Sequence, residues 1–173
     1  MDPLSFRITY NVAVEAYVER DFDRALKELE KTKAIDANNP WTYDLLVIVF
    51  HQKKIPAQAF TALEKRNNLE GMFSEEEMAD MRKAYETAGL SAYFHKENEF
   101  RQKRLAQGRY QSPLRIAMNY AMAGANLEAL DWLEKGVEEH ASWLPELNWD
   151  PNWDAVRTQP RFIAVLKKIG LEK

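Results

Sequence analysis

Cysteine is absent from the 173 residues, which removes disulfides, thiolate nucleophiles and cysteine-based zinc sites together and leaves the redox compartment open. Glycine occurs six times and proline seven, too few for a flexible linker or a low-complexity tract. An ordered chain is expected, with disorder confined to its ends. There is no glycine-rich loop to cradle a phosphate and no Gly-x-Ser-x-Gly elbow to raise a nucleophile. The three histidines, His51, His95 and His140, are spaced so that no two share a helix face as a metal pair. No apolar run approaches the roughly 18 residues that span a bilayer, and the first residues lack a charged segment followed by an apolar one. An excess of either charge is missing too, since 24 Lys and Arg against 27 Asp and Glu leave a formal net charge of -3. That balance supplies no long-range attraction to nucleic acid or to an anionic membrane. The expectation is a soluble chain without cofactor or metal. Its expected place is the cytoplasm, or the far side of a membrane if the parent protein carries an upstream span.

What the chain has is hydrophobic content of 46%, enough for one domain with a real core, and an internal repeat. Ala25 and Ala59 stand 34 residues apart, Leu29 and Leu63 keep that interval, and DRALKELEK aligns with AQAFTALEK across it. With Ala25 at position 20 of its unit, the first unit covers 6–39 and the second 40–73. Val12 and Ala13 then fall on the first unit's leading helix and Phe22 in its turn. Tyr43, Leu46, Val47 and Phe50 fill the leading helix of the second. Small residues at these positions suit a close helix crossing. Pro40, after Asn38-Asn39, suits a first helical turn, where a missing N–H costs nothing.

A later stretch, RIAMNYAMAGANLEALDWLEKG, sets Ala117, Tyr120, Gly124, Ala129 and Leu133 in the same register over 110–141, with Gly124 in the turn. Ala129 follows Ala59 by 70 residues, two more than a pair of perfect repeats, so 74–109 is read as a divergent unit with an insertion. Ser74 and Glu77 form a capping signal, Gly89 breaks the pattern, and a longer helix runs from about Leu90 to Gln107. Lys96, Glu97, Glu99, Arg101, Lys103 and Arg104 read as its solvated face. The basic run from Arg101 to Arg109 could alternatively meet a phosphate or an acidic partner. Residues 142–173 read as a cap over the last helix pair, packed by Trp143, Trp149 and Trp153. Asp150-Pro151 and Gln159-Pro160 start two short helical pieces, the second carrying Phe162, Ile163, Leu166 and Ile169. Tryptophans exposed as a partner site are the alternative. The acidic runs Glu75-Glu76-Glu77 and Glu138-Glu139 belong at helix ends, so paired-acid catalysis is not expected.

A 34-residue unit with Ala at position 20 and a large apolar residue four later resembles the tetratricopeptide repeat (TPR). The ending resembles the C-terminal TPR region of multidomain bacterial regulators. It comprises Trp143, Leu144, Leu147, Asp150, Pro151, Trp153, Asp154, Val156, Arg157, Pro160, Arg161, Phe162, Leu166, Ile169, Gly170 and Leu171. In such proteins this region follows a winged-helix, Ser/Thr kinase or adenylate-cyclase-like domain. The resemblance implies an all-α fold, a right-handed superhelical TPR solenoid of about four helix-turn-helix units with a short C-terminal helical cap. One departure is Gln159, where the family pattern has Asp before Pro-Arg-Phe. Asp2-Pro3 matches the end of a preceding repeat, so a C-terminal fragment of a longer chain is expected.

The resemblance also implies where binding occurs, since such repeats line a concave groove from positions 2, 5, 9 and 12 of each leading helix. Those positions hold Arg7, Tyr10, Val14 and Tyr17, then Trp41, Asp44, Ile48 and His51, and later Gln111, Leu114, Met118 and Ala121. The Lys and Asn that clamp a chaperone's terminal carboxylate at positions 5 and 9 are missing, because Tyr10 and Val14, or Asp44 and Ile48, stand there. The implied function is a non-catalytic protein-protein interaction module binding a peptide or partner domain. A small-ligand sensor and a self-association module that makes a homo-oligomer of the parent are the alternatives. Val14, Ile48 and Met118 suit core between repeats equally well.

Overall fold

The computed structural model describes residues 3–142 and 144–171. Asp2 and Trp143, to which the sequence reading gave a repeat boundary and a capping role, lie outside the described residues. The chain is all-α, and no strand occurs among the described residues. Its helices are α1 (Pro3–Val18), α2 (Phe22–Ile35), α3 (Pro40–Gln52), α4 (Pro56–Glu70), α5 (Glu75–Ala106), α6 (Pro113–Ala123), α7 (Asn126–Glu138) and α8 (Pro160–Lys168). Two 3-10 turns, Leu144–Asn148 and Pro151–Trp153, lead into α8. The chain divides after Met78 into two compact units.

Local chemistry places most helix starts. Proline stands in the first turn of α3, α4, α6 and α8, where its fixed φ suits the helix. The Asn39 side chain accepts the Trp41 N–H at 3.1 Å and Asp21 accepts that of Arg24 at 3.0 Å. Ser74 and Glu77 cap reciprocally, at 3.0 and 3.2 Å. Gln159 makes no side-chain cap bond, as its departure from Asp implies.

In the first unit α1 packs on α2, α3 on α4, and α2 on α3. Ala13, Ala25, Val47 and Ala59 are wholly buried in those crossings together with Leu29 and Leu63, so the 34-residue interval in sequence is an interval of burial. Thr42 donates to Thr32 Oγ1 at 3.2 Å, and Thr32 in turn donates to the Leu29 carbonyl at 2.7 Å, which satisfies two hydroxyls inside this core.

In the second unit α6 packs on α7, α7 on α8, and the Pro151–Trp153 turn on α6. Ala117, Ala129 and Leu133 are wholly buried, in register with their counterparts in the first unit. Trp153 is buried 6.2 Å from the Phe162 ring and closes this core, whereas Trp149 and Ile163 remain exposed. Arg161 draws α8 onto α7 through Glu134 and Asp131, with contacts of 2.7 to 2.8 Å. α5 is two helices meeting at an elbow, since Ala88 and Gly89 leave helical geometry and Gly89 (φ 75, ψ -163) adopts a conformation essentially restricted to glycine. One expectation for this segment is corrected. Glu97 and Arg101, read as part of a solvated face, are buried, because each finds polar partners along α6 and the loop before it.

Candidate functional site

Tyr10 and Trp41 are brought together by the crossing of α1 and α3, with ring centroids 6.0 Å apart. Phe6, one turn before Tyr10, stacks on it at 5.9 Å and 11°. The Asn39 cap and Pro40 orient the start of α3, and so set where Trp41 stands. Trp41 nevertheless remains 48% exposed, Ile8 on α1 is 57% exposed, and Arg7 is exposed beside it. Phe6 is buried beneath, and Tyr10 is half-buried. The result is an aromatic ladder whose outermost ring faces solvent.

The remaining candidates separate from it. Tyr17 lies two turns further along α1 and is buried, 6.1 Å from the ring of Phe22 at the start of α2. Ile48 is buried, and Val14 and His51 are half-buried. Asp44 has an internal task, since its Oδ1 accepts from Arg66 Nη1 at 3.3 Å. The Arg66 side chain is wholly buried and is also held by Asn67 Oδ1 at 2.9 and 3.1 Å. A buried guanidinium needs that compensation, so Asp44 is committed to the fold. Leu114 belongs to the apolar core of the second unit and Met118 packs against that core. Gln111 is buried beside Arg101. Position within the repeat therefore picks out Tyr10 and Trp41 as a pair, while Tyr17, Ile48 and Leu114 are core.

Phe6 and Ile8 were missed. The i, i+4 spacing of Phe6 and Tyr10 was a signal available in the sequence. The outward aim of Ile8 was not, because it depends on which face of α1 is left without a neighbour.

Titration is perturbed elsewhere. Glu146 is half-buried, and burial, reinforced by the nearby Asp150 charge, pushes its carboxyl up to about 7. The Asp150 carboxylate is used to accept the Asn152 N–H at 2.8 Å. Glu134 is held below the usual carboxylate range by its hydrogen bond from Arg161. Among the described residues no cluster of three or more His, Cys, Asp and Glu side chains is arranged to hold a metal. A surface depression of about 350 Å³ at the α5 elbow, with Lys83, Ala84, Ala88 and Lys96 in its lining, includes none of the candidate groove residues. Among the described residues no helix is long and apolar enough to cross a membrane. No family model, no curated protein and no solved structure matches the chain.

Proposed function

We propose that this chain is a non-catalytic protein-protein interaction module of the TPR type, which holds a peptide or a segment of a partner domain against α1 and α3. The observation that carries the reading is the Tyr10–Trp41 pair with Trp41 half in solvent. Tryptophan and tyrosine are large, stiff and amphipathic, so they release much apolar area on desolvation at small entropic cost, which is why they dominate binding hot spots. A solvent-facing aromatic ladder suits an apolar or aromatic side chain presented by a peptide, with Arg7 free to meet an acidic flank.

Support for the repeat assignment comes from the matching burial of Ala25 with Ala59 and of Leu29 with Leu63. The regulatory setting rests on the Asp150-Pro151 to Leu171 ending and its likeness to the final TPR region of bacterial regulators. The parent protein would then carry an effector domain upstream, and peptide binding here would bias it.

A displayed peptide library selected on the immobilised chain tests the reading. Selection is expected to enrich peptides with an aromatic or branched apolar anchor. Re-binding to the Tyr10→Ala and Trp41→Ala variants is expected to fall by roughly tenfold or more, with helicity retained. Absence of enrichment, or equal binding to both variants, overturns it.

A further inference from the structure

Five of the buried polar side chains of the second unit gather along one seam, between residues 90–106 of α5 on one side and α6 with its leading loop on the other. Glu97, Asn98 and Asn119 are wholly buried, and Arg101 and Gln111 nearly so. Glu97 Oε1 accepts from Arg101 Nε at 2.9 Å and from Asn119 Nδ2 at 3.0 Å. Asn119 Nδ2 also donates to Asn98 Oδ1, and Asn98 Nδ2 to the Ile116 carbonyl, both at 3.0 Å. Arg101 Nη1 donates to Gln111 Oε1 at 3.3 Å. Ser91 Oγ donates to the Ala123 carbonyl at 3.0 Å and Gln102 Nε2 to Tyr120 Oη at 2.8 Å, so the seam is hydrogen-bonded along the length of α6.

The apolar core on the far side is drawn from a different set. It runs from Leu114 and Ala117 through Leu130, Leu133 and Trp153 to Phe162 and Leu166, and no residue of α5 takes part. Ile116 and Met122 on α6, and Tyr93 and Phe94 on α5, are buried outside that cluster. α6, α7, the two 3-10 turns and α8 thus share a core without α5.

We infer that residues 113–171 form a separately cooperative sub-module, docked on the second half of α5 by this polar seam, and that the seam opens before the sub-module's own core does. The physical reason is the difference in what opening exposes. Opening the seam releases mainly amides, a carboxylate and a guanidinium, which water re-satisfies, with few apolar side chains beside them, Ile116 and Met122 on α6 and the His95–Tyr120 ring contact at 5.6 Å, whereas severing the core exposes the whole cluster from Leu114 to Leu166. Cooperative units defined in this way open independently in native proteins. The same network makes docking specific. A slip of α6 along α5 would leave the Glu97–Arg101 pair without its Asn119 and Gln111 partners in a buried setting, a costly arrangement.

Amide hydrogen exchange on the intact chain, read by mass spectrometry, tests this. Asn119→Ala withdraws the bonds to Glu97 and Asn98. Exchange in 97–106 is expected to rise by about tenfold, because that half of α5 frays when its partner leaves, while α6, α7 and α8 keep their rates. Gln111→Ala, which removes only the contact to Arg101, is the milder variant if the first does not fold. It is expected to accelerate 97–106 by about threefold with the same sparing of α6 to α8. An equal acceleration through 97–168 in whichever variant folds, or no acceleration at all, overturns the inference.

Discussion

In the first unit, helix pairs meet through Ala13, Ala25, Val47 and Ala59, and the wholly buried guanidinium of Arg66 is matched by a half-buried Asp44. In the second, the buried polar groups Glu97, Asn98, Arg101, Gln111 and Asn119 join α5 to α6 and its leading loop, beside a ring contact of His95 with Tyr120. Regular repeats can crowd backbones together because the small residues recur at the crossing points, and dispersion over many close contacts does the rest. The divergent unit lacks that series. There the match is made by hydrogen bonds, which are directional and tolerate fewer arrangements. The difference also separates tasks, since the apolar crossing leaves the Tyr10–Trp41 ladder outside as a surface, whereas the polar seam is turned wholly inward.

Removing one charge from each unit is the most forceful way to test that contrast. Glu97→Leu strands Arg101 in a buried setting and is expected to cost about 3–5 kcal/mol in urea unfolding. Asp44→Ala should cost less, about 1–2 kcal/mol, because Asn67 still accepts from Arg66 and Asp44 is partly solvated. Equal losses would erase the distinction between the two settings. Overpacking comes next. Ala59→Leu and Ala129→Leu occupy equivalent crossing positions, so each is expected to destabilise by about 1–3 kcal/mol and by similar amounts in thermal melts. A large disparity would mean that the 34-residue register does not describe both units.

A smaller effect, of the opposite sign, is expected at α8. Gln159→Asp supplies the missing cap and should raise stability by about 1 kcal/mol, measured as a higher urea midpoint with an unchanged slope. The smallest concerns pH. Because the folded-state pKa of Glu146 is raised from 4.5 to about 7, the folded form holds a proton that the unfolded form releases. Its contribution is therefore neutral below about 4.5, grows unfavourable as pH climbs toward 7, and levels off above that. Glu146→Gln should flatten this decline and leave the variant more stable than the parent at pH 8. Glu134 runs the other way, since its depressed pKa adds stability above its unfolded value that is lost on acidification. A melting series from pH 4 to 8 on Glu146→Gln and Glu134→Gln separates the two, and both changes should be modest because these groups are partly solvated.

Much of this fold is legible in the sequence. Pro40 and Pro160 mark helix starts, Ser74 with Glu77 marks the start of α5, and Gly89 and Gly124 mark breaks, all through effects confined to a turn of chain. The candidate site was legible only in part. Tyr10 and Trp41 were singled out by repeat position, but the same rule also selected Tyr17, Ile48 and Leu114, which are core. A heptad-like spacing places residues on one face of a helix and does not say whether a neighbouring helix covers that face.

By itself the sequence determined the helical class, several helix starts and the interval at which small residues recur, because capping, proline geometry and periodicity act within a few residues of each other. Only the tertiary structure decided that Glu97 and Arg101 are buried while Trp41 is exposed, against the ordinary preference of each residue type. Burial depends on which face another helix covers, and that depends on crossings between residues far apart in the chain. A charged pair goes inside when partners such as Asn119 and Gln111 meet it there, and a tryptophan stays half outside when no described residue of its own unit covers it.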